Sequence, residues 1–358
     1  MIKESLKGKL ILEDGSVFYG SSFGSPQSSP GEVVFNTGMV GYPETLTDPS
    51  YQGQILCLTY PLIGNYGIPP ESIEHGLKKY FESSSIHIQG LLISDYCEKP
   101  NHWNANKNLS QWLKESKIPA LYGIDTRELT KKLRENGSML GRIEFDKKIN
   151  FSDPNTRNLV AEVSIPKKQI YGKGKTRIIV VDCGVKNNII RSLLKRNIEV
   201  LRVPWDYNFT KERCDGIIVS NGPGDPKQAK ITIQHIQQSM EKEIPLFGIC
   251  LGNQLLALAT GADTYKLKYG HRGQNQPCIL KNTKRCVITS QNHGYAVNAK
   301  TLPRQWEEWF VNANDKTNEG IRHKTKPFFS VQFHPEATPG PVDTDFLFDE
   351  FLKIIEGG

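Results

Sequence analysis

A cysteine between two glycines is the residue of this chain best suited to covalent chemistry. The sequence reads Gly248-Ile249-Cys250-Leu251-Gly252. G-x-C-x-G between an apolar strand and a helix is typical of a nucleophile elbow, with Cys at the position where one family of hydrolases has Ser. Glycine suits both flanks because the tight turn leaves little room for a Cβ atom. The helix N-terminus favours thiolate, and the Leu251 amide would face an oxyanion. These residues predict a nucleophile, although a lone Cys in such a turn is usually only buried.

A histidine and a carboxylate follow further along the chain, in Phe333-His334-Pro335-Glu336 at the end of an apolar segment. Two residues apart in an extended turn, both side chains can lie on the same side. Glu336 would then hold the imidazole tautomer while the other ring nitrogen takes the thiol proton. His334 alone could equally be a surface histidine. Together with the cysteine, the pair predicts a Cys250-His334-Glu336 triad.

Two polar segments accompany this predicted triad. The loop SNGPGDP, residues 220–226, follows a predicted strand and therefore lies at the same carboxyl edge of the sheet as the elbow. Its glycines could bring a backbone N–H to a substrate oxygen, and the alternative is an ordinary Pro/Gly turn. The segment QNHGY, residues 291–295, is by itself only a polar hairpin turn.

Alternating strands and helices must position these residues. Apolar runs predict strands at Arg177–Asp182, Glu199–Val203, Gly216–Ser220 and Pro245–Ile249, and helices at Ile231–Met240 and Leu251–Thr260. This alternation predicts a parallel sheet covered on both faces. Beyond Gly261, short strands predict an antiparallel extension of the same domain, and the chain closes with a helix over Phe346–Ile355.

The first half of the chain lacks this alternation of strands and helices and contains no recognisable catalytic motif. It opens with a predicted hairpin, KLILEDGSVFYG, in which Asp14-Gly15 is the turn. Helices are predicted over Ser110–Lys117 and Asp125–Asn136, the second with Asp125 or Thr126 as N-cap and Gly137 as its stop. The Lys- and Gly-rich residues 166–176 have no period and predict a linker. We therefore expect domains at 1–165 and 177–358.

Composition narrows the class of protein only modestly. The chain has 358 residues and a net charge of +7, and because the excess is small and dispersed we expect no nucleic-acid partner. No apolar stretch is long enough for a membrane span, and no secretory signal is apparent. Neither disulfides nor a metal site is expected, since no C-x-x-C pair occurs among the seven cysteines, which are Cys57, Cys97, Cys183, Cys214, Cys250, Cys278 and Cys286. The Lys-, Asn- and Ile-rich composition suggests a soluble protein of a bacterial cytoplasm or of a plastid stroma, encoded in an algal plastid.

The motifs taken together resemble a known family. GICLGNQLLALATGA, SNGPGDP and FHPEATPGP resemble the class I glutamine amidotransferases. QNHGYAV and the first half, above all GEVVFNTGMVGYPETLTDPSYQG and GIDTRELTKKLRENG, are similar to the small subunits of glutamine-dependent carbamoyl-phosphate synthases. The resemblance covers essentially the whole chain. It implies an α/β protein with an N-terminal mixed α/β domain that docks a large subunit, followed by a flavodoxin-like glutaminase domain.

The resemblance also implies roles for individual residues. Cys250 would form a γ-glutamyl thioester, His334 would act as base and then acid, and Glu336 would orient it. Positions that hold glutamine or its oxyanion are matched by Ser50, Gly222, Gly224, Leu251, Gln254, Asn292, Gly294 and Tyr295. For Ser50 the residues alone predict only a loop hydroxyl. The chain departs from the family's usual residues at three positions, where Asn253 replaces His, Gly38 replaces Ser and Tyr295 replaces Phe.

The implied activity is hydrolysis of L-glutamine to glutamate and ammonia. In a heterodimer, a large synthetase subunit would join the ammonia to bicarbonate with ATP, a ligase reaction that makes carbamoyl phosphate for arginine and pyrimidine biosynthesis. Because this chain has no P-loop, ATP and Mg are expected on the large subunit and no cofactor is expected here. Two alternatives remain open: a glutaminase of another synthase, and a non-catalytic regulatory subunit.

Overall fold

The computed structural model describes residues 6–357, which form two compact units. The first unit takes the described residues up to Glu74 together with Lys78–Thr156. The second takes His75–Leu77 and the described residues from Arg157 onward. The division falls before the domain boundary predicted at residue 165.

The described part of the first half of the chain contains eleven strands and three helices. The strands are β1 (Lys7–Leu12), β2 (Val17–Ser22), β3 (Ser29–Asn36), β4 (Gln54–Leu58), β5 (Leu62–Ile63), β6 (Ile73–Glu74), β7 (Leu77–Lys78), β8 (Gly90–Leu92), β9 (Asp95–Tyr96), β10 (Ala120–Tyr122) and β11 (Met139–Glu144). The helices are α1 (Tyr42–Leu46), α2 (Leu109–Glu115) and α3 (Thr126–Asn136), with 3₁₀ turns at Pro49–Tyr51 and Pro154–Thr156. The prediction of a mixed α/β arrangement is confirmed.

Seven of these strands close into a barrel in the order β1-β11-β3-β4-β8-β10-β2. The predicted hairpin is confirmed, because β1 and β2 pair antiparallel around Asp14-Gly15. The pairs β3-β4, β4-β8 and β8-β10 are parallel. Barrel closure was not predicted from the sequence, since it depends on pairing between strands far apart in the chain.

Up to residue 357, the second half contains ten strands and five helices. The strands are β12 (Gln169–Tyr171), β13 (Arg177–Asp182), β14 (Glu199–Pro204), β15 (Gly216–Val219), β16 (Leu246–Ile249), β17 (Asp263–Leu280), β18 (Cys286–Asn298), β19 (Trp306–Asn312), β20 (Asn318–His323) and β21 (Phe328–Val331). The helices are α4 (Leu159–Val163), α5 (Asn187–Leu194), α6 (Lys230–Glu241), α7 (Leu251–Ala259) and α8 (Phe346–Glu356), with 3₁₀ turns at Phe209–Lys211, Pro226–Gln228 and Ala299–Thr301.

All ten strands belong to one sheet, in the order β12-β14-β13-β15-β16-β21-β20-β19-β17-β18. The predicted parallel sheet is confirmed, because β14, β13, β15, β16 and β21 pair in parallel. The antiparallel extension is confirmed as well, from β21 through β20, β19 and β17 to β18. The strands that precede Cys250, His334 and the 220–226 loop therefore lie where the apolar pattern places them. Residues 291–295, interpreted as a polar hairpin turn, instead lie within β18, where they pair with β17.

Alternate residues of the central strands pack against helices on opposite faces of the sheet. On one face Ile178 and Val180 belong to a buried apolar cluster with Phe348 of α8. On the other face Ile179 and Val181 belong to a second cluster with residues of α6 and α7. This two-residue period is what a strand buried on both faces requires. Packing on both faces fixes the positions of the carboxyl ends of these central strands, where the candidate site residues follow.

Two segments of the second unit differ from the prediction. Residues 166–176, interpreted as a linker, contain β12, which pairs antiparallel with β14 at the edge of the sheet. An edge strand pairs on one side only, and Gln169 and Ile170 of β12 are exposed. The segment therefore has no alternation of apolar and polar residues that would predict a strand. The long strand β17 was also missed. Its sequence mixes buried and exposed residues, and its pairing with β18 is interrupted by register shifts.

No helix within residues 6–357 is both long enough and apolar enough to cross a membrane.

Asp125 is the N-cap of α3, as the sequence predicts, and its Oδ1 accepts a hydrogen bond of 2.8 Å from the Glu128 N–H. We expect Asp125→Ala to lower the free energy of unfolding of the first unit by about 1 kcal/mol, because a helix N–H loses its acceptor. Urea unfolding measures this loss. Asp125→Ser, which keeps a side-chain acceptor, is the control and should retain most of the stability. An equal loss in both variants would show that the cap does not stabilise the helix.

Candidate active site

The turn between β16 and α7 has the elbow geometry that the G-x-C-x-G spacing predicts. β16 ends at Ile249, α7 begins at Leu251, and Cys250 between them has φ 55° and ψ −101°. A non-glycine residue with this backbone conformation is strained by about 1–3 kcal/mol. The conformation is held on both sides, because the Cys250 N–H donates to the Val331 carbonyl at 2.8 Å and the Gly252 N–H to the Ser220 carbonyl at 3.1 Å.

Both flanking glycines are required by close backbone approach. A Cβ atom on Gly248 would lie 2.5 Å from the Gly252 carbonyl oxygen, and one on Gly252 would lie 2.1 Å from the Val219 carbonyl oxygen. Neither distance is possible for a real side chain, and the obstructing atoms are backbone. The two glycines therefore allow α7 to start directly against the central strands, with the cysteine at its N-terminus.

His334 and Glu336 form a buried pair. The imidazole Nδ1 lies 2.7 Å from the Glu336 Oε1, and the residues are 2% and 3% exposed. The other ring nitrogen, Nε2, has no hydrogen-bond partner in the part of the chain that the structure describes. The backbone of His334 is anchored to β18 through a 2.9 Å hydrogen bond to the Ser290 carbonyl. The predicted placement of both side chains on one side of the turn matches this geometry.

Charge interactions hold both members of the pair in their ionised forms. Burial alone would lower the pKa of His334, but the Glu336 carboxylate and Cys250 raise it to about 10. Burial would likewise raise the pKa of Glu336, but Lys186 and then His334 lower it to about 2. At neutral pH the pair is therefore an imidazolium and a carboxylate. An imidazolium is the partner that stabilises a thiolate.

Lys186 completes this charge group, and it was missed by the sequence reasoning. Its Nζ lies 3.0 Å from the Glu336 Oε1 and donates to the Ala337 carbonyl at 2.5 Å. Only 3% of the side chain is exposed, and a lysine is seldom so deeply buried unless it is paired. In the sequence, Lys186 is one of many lysines and precedes an ordinary amphipathic helix. Only the fold brings it to the carboxylate.

The loop at residues 220–226 lies against the start of α7, as its position at the sheet edge predicts. A Cβ atom on Gly222 would be 2.0 Å from the Cys183 carbonyl oxygen and 2.8 Å from the Leu251 Cδ2. Gly224 has φ +84°, a left-handed conformation that favours glycine. Leu251 is the first residue of α7, and the N–H of a first helical residue has no partner within the helix. The role of Leu251, Gly222 and Gly224 at an oxyanion stays a prediction.

Of the remaining predicted residues of the second unit, Asn292 contacts the cysteine side chain directly. The Cys250 Sγ lies 3.7 Å from the Asn292 carbonyl oxygen, which can accept the thiol hydrogen. The Gln254 Nε2 donates to the Tyr295 carbonyl at 2.9 Å, and Gln254 is 2% exposed. Gly294 lies beside the Arg272 guanidinium. The roles of Gln254, Asn292, Gly294 and Tyr295 in binding glutamine stay predictions.

Ser50 lies in the first unit, where it is buried in the 3₁₀ turn Pro49–Tyr51. The backbone N–H of Ser50 donates a hydrogen bond of 2.9 Å to the Asp48 Oδ1. The predicted contact of Ser50 with glutamine stays a prediction.

A second buried cluster lies in the antiparallel part of the sheet. Potential metal-ligating atoms of His271, His293 and Glu319 lie within 4.8 Å of one another. However, the ring nitrogens of His271 are both beside carboxylates, with Nε2 2.8 Å from the Asp315 Oδ2 and Nδ1 3.3 Å from the Glu319 Oε1. This arrangement fits an imidazolium between two acids. The expectation of no metal site stays a prediction.

The pKa shifts in this cluster follow from the same pairing. Burial opposes protonation of His271, but Asp315 and Glu319 raise its pKa to about 9. Burial would raise the pKa of Asp315, but His271 lowers it well below its usual value, whereas burial raises the pKa of Glu319 despite its contact with His271. Burial and the His271 charge lower the pKa of His293 well below its usual value. The cluster therefore contains one charged and one neutral imidazole.

Comparison with known proteins identifies both halves of the chain. The family description "Carbamoyl-phosphate synthase small chain, CPSase domain" matches residues 10–143, and "Glutamine amidotransferase class-I" matches residues 179–354.

Similar curated proteins are much longer than this chain. Carbamoyl-phosphate synthase [ammonia], mitochondrial, of Homo sapiens is 54% identical over 98% of this chain and 24% of its own length. Multifunctional protein CAD of Squalus acanthias is 56% identical over 96% of this chain and 16% of its own length. Multifunctional protein pyr-3 of Neurospora crassa is 52% identical over 97% of this chain and 21% of its own length. The chain thus spans about a quarter or less of the length of these relatives.

The His271 ion pairs make the second unit less stable at high pH. The pKa of His271 in the folded state, about 9, is above the usual value of 6.5. The stabilisation is therefore complete below the unfolded pKa and is lost as the pH rises through the folded pKa. We expect the wild type to lose roughly 2 kcal/mol more of its unfolding free energy between pH 7 and pH 9 than His271→Gln does.

Urea unfolding of the second unit at the two pH values measures this difference. His102→Gln, at an exposed histidine of the first unit, is the matched control and should behave as the wild type. If the wild type and His271→Gln lost the same stability over this pH range, the charged imidazole would be excluded.

Proposed function

Because the chain belongs to the carbamoyl-phosphate synthase small-chain family and has a class-I glutamine amidotransferase domain, we propose that it is the glutaminase of such a synthase. It hydrolyses L-glutamine and supplies the ammonia to a synthetase partner. The observation that carries this proposal is the strained Cys250 elbow beside a buried imidazolium, which is itself paired with the Glu336 carboxylate.

The first half of the reaction forms a thioester. The Cys250 thiolate attacks the side-chain carbonyl carbon of glutamine, and the oxyanion accepts hydrogen bonds from the backbone N–H of Leu251 and of a glycine in the 220–226 loop. The His334 imidazolium donates its Nε2 proton to the departing nitrogen, so that ammonia leaves rather than an amide anion. The products of this step are a γ-glutamyl thioester, ammonia and a neutral imidazole.

The second half releases glutamate and restores the site. Neutral His334 takes a proton from a water molecule, which attacks the thioester carbonyl carbon, and the thiolate then leaves. Glu336 accepts the Nδ1–H throughout and stabilises the imidazolium when it re-forms. Lys186 keeps that carboxylate ionised. Its positive charge acts on the imidazole in two opposite ways, because it keeps Glu336 ionised and also lowers the pKa of His334 by direct repulsion.

The relatives support a synthetase partner, because this chain corresponds to only part of their length. We place the ATP, Mg and bicarbonate chemistry, and hence carbamoyl phosphate formation for arginine and pyrimidine biosynthesis, on a separate large subunit in a heterodimer. This chain then needs no cofactor of its own. A bacterial or plastid compartment stays a prediction from composition.

One observation favours a second candidate, a non-catalytic regulatory subunit. The name of one relative that is 54% identical specifies ammonia rather than glutamine. The buried Cys250-His334-Glu336 arrangement argues against this candidate, because a chain without glutaminase activity has no need of ionised groups around a strained cysteine. The third possibility, a glutaminase of another synthase, is disfavoured by the match of residues 10–143 to the small-chain domain.

The Cys250→Ala variant separates these candidates in an assay with the large subunit. We expect it to lose glutamine-dependent carbamoyl phosphate synthesis by at least roughly 10³-fold and to retain synthesis from free ammonia, because only the nucleophile is removed. Cys286→Ala, at an exposed cysteine, is the matched control and should retain both activities. A wild type inactive with glutamine would support the regulatory subunit, and equal loss of both activities in Cys250→Ala would refute the nucleophile.

A glutamine-like alkylating agent should modify Cys250 before the other six cysteines. Exposure alone predicts the opposite, because Cys250 is 2% exposed whereas Cys286 is exposed. Burial raises the pKa of the Cys57 thiol to about 12 and that of Cys214 to about 11, which makes them inert. Mass spectrometry of partly labelled protein gives the order of modification. Labelling of Cys286 ahead of Cys250 would contradict an activated thiol in a glutamine site.

A further inference from the structure

We propose that Gln332 is a further catalytic residue, whose side-chain N–H stabilises the Cys250 thiolate, and that Asn253 is the residue that positions it. The catalytic meaning of this contact rests on the proposed glutaminase function. The contact itself rests on geometry, because the Gln332 Nε2 lies 3.8 Å from the Cys250 Sγ, within hydrogen-bonding distance for sulfur.

The backbone fixes where the Gln332 side chain starts. Gln332 is the first residue after β21 and is fully buried. Its N–H donates to the Glu319 carbonyl at 2.9 Å, and the preceding carbonyl, of Val331, accepts from the Cys250 N–H. Cys250 is therefore hydrogen-bonded to the last residue of β21, and Gln332 follows that residue directly in the chain. Little conformational freedom remains to be lost when the N–H meets the sulfur.

Two donors fix which end of the Gln332 amide faces the sulfur. Its Oε1 accepts from the Asn253 Nδ2 at 3.1 Å and from the Gln254 Nε2 at 3.2 Å. The Asn253 amide is in turn oriented by the Ser330 hydroxyl, which donates to Asn253 Oδ1 at 2.8 Å. Because two N–H groups point at one end of the Gln332 amide, that end must be the oxygen. The NH₂ end is left toward Cys250.

Besides His334, two polar groups of the described residues contact the sulfur, and they favour opposite protonation states. The Asn292 carbonyl can accept a thiol hydrogen and so favours the neutral thiol. The Gln332 N–H can only donate, and a donor favours the thiolate because hydrogen bonds to charged groups are the stronger ones. Charged groups of the site include His334, with Glu336 and Lys186 behind it, and the Arg272 guanidinium beside Gly294. Gln332 adds a neutral donor that the triad does not supply.

This network also gives a reason for the unusual residue at position 253. The family usually has His there, and either a His ring N–H or the Asn amide N–H can donate to the Gln332 oxygen. The replacement therefore keeps the donor. Gln254, which the resemblance places at glutamine, donates to the same oxygen and to the Tyr295 carbonyl. Gln332 thus connects the nucleophile with a residue of the predicted substrate site.

Gln332→Met in the full chain tests the contact, because Met has a similar length and no donor. The readout is the pH midpoint of Cys250 thiolate formation, taken from the ultraviolet absorbance of thiolate after subtraction of the same chain carrying Cys250→Ala. We expect the midpoint to rise by about one pH unit, which leaves about tenfold less thiolate at neutral pH. Gln238→Met, at an exposed glutamine of α6, is the matched control and should leave the midpoint unchanged.

A second variant keeps the test decisive if Gln332→Met does not fold. Gln332→Glu keeps an oxygen for Asn253 and Gln254 but replaces the N–H donor with a second oxygen, so the midpoint should rise further than in Gln332→Met. Thermal unfolding identifies variants that are folded. An unchanged midpoint in either folded variant would overturn the role of Gln332.

A double-mutant cycle tests the role of Asn253. If Asn253 acts through Gln332, Asn253→Ala should raise the midpoint in the wild-type background and have no further effect in Gln332→Met. Asn253→His should restore the wild-type midpoint, because it restores a donor. Equal effects of Asn253→Ala in both backgrounds would refute positioning through Gln332.

Glutamine hydrolysis by the wild type with its large subunit is measured in parallel. A wild type that cannot hydrolyse glutamine would refute the proposed function even if the thiolate midpoint responds to Gln332. Conversely, if the wild type hydrolyses glutamine but the Gln332 variants have the wild-type midpoint of thiolate formation, only this inference would be refuted. The two failures are therefore distinguishable.

Discussion

The close approach of two backbone segments at the turn between β16 and α7 is the constraint on which the site depends. Gly252 lies so near the Val219 carbonyl that a Cβ atom would be only 2.1 Å from its oxygen. The chain can then turn from strand to helix in a single residue, and Cys250 takes the positive φ that this requires. The cost of that conformation is offset by the packing of β16 and α7 into the sheet. The sulfur is consequently held in one place, and its partners must be brought to it.

Those partners include buried charges, which the fold pairs rather than exposes. Lys186 and His334 share one oxygen of Glu336. The same pairing recurs in a separate cluster, where His271 lies between Asp315 and Glu319. Removing a single member of such a group leaves an uncompensated charge in a region with little water, which is more costly than any one contact is favourable. The charged groups therefore limit which substitutions the site tolerates. They also keep His334 protonated at neutral pH, as a thiolate partner must be.

Neutral amides supplement the charges around the nucleophile. Gln332, Asn253 and Gln254 form a buried network in which the hydrogen bonds to the Gln332 oxygen leave its N–H toward the sulfur. An amide carries no net charge, so it can be buried at lower cost than a second cation. Its orientation must be enforced by neighbours, since both ends of the amide have nearly the same shape. The residue at position 253 contributes an N–H donor, which orients the Gln332 amide.

The sequence by itself determined the features that depend on neighbouring residues. Spacing predicted the elbow around Cys250 and the His334-Glu336 pair, and apolar periodicity predicted the parallel strands and α7, because a tight turn, an i,i+2 pair and a strand face are local properties. The tertiary structure alone decided what joins distant residues. Lys186 reaches Glu336, and Gln332 reaches Cys250, only through strand order in the sheet. For the same reason the barrel closure and the edge strand β12 left no sequence pattern: their partners come from remote segments, and pairing between backbones places few demands on side-chain type.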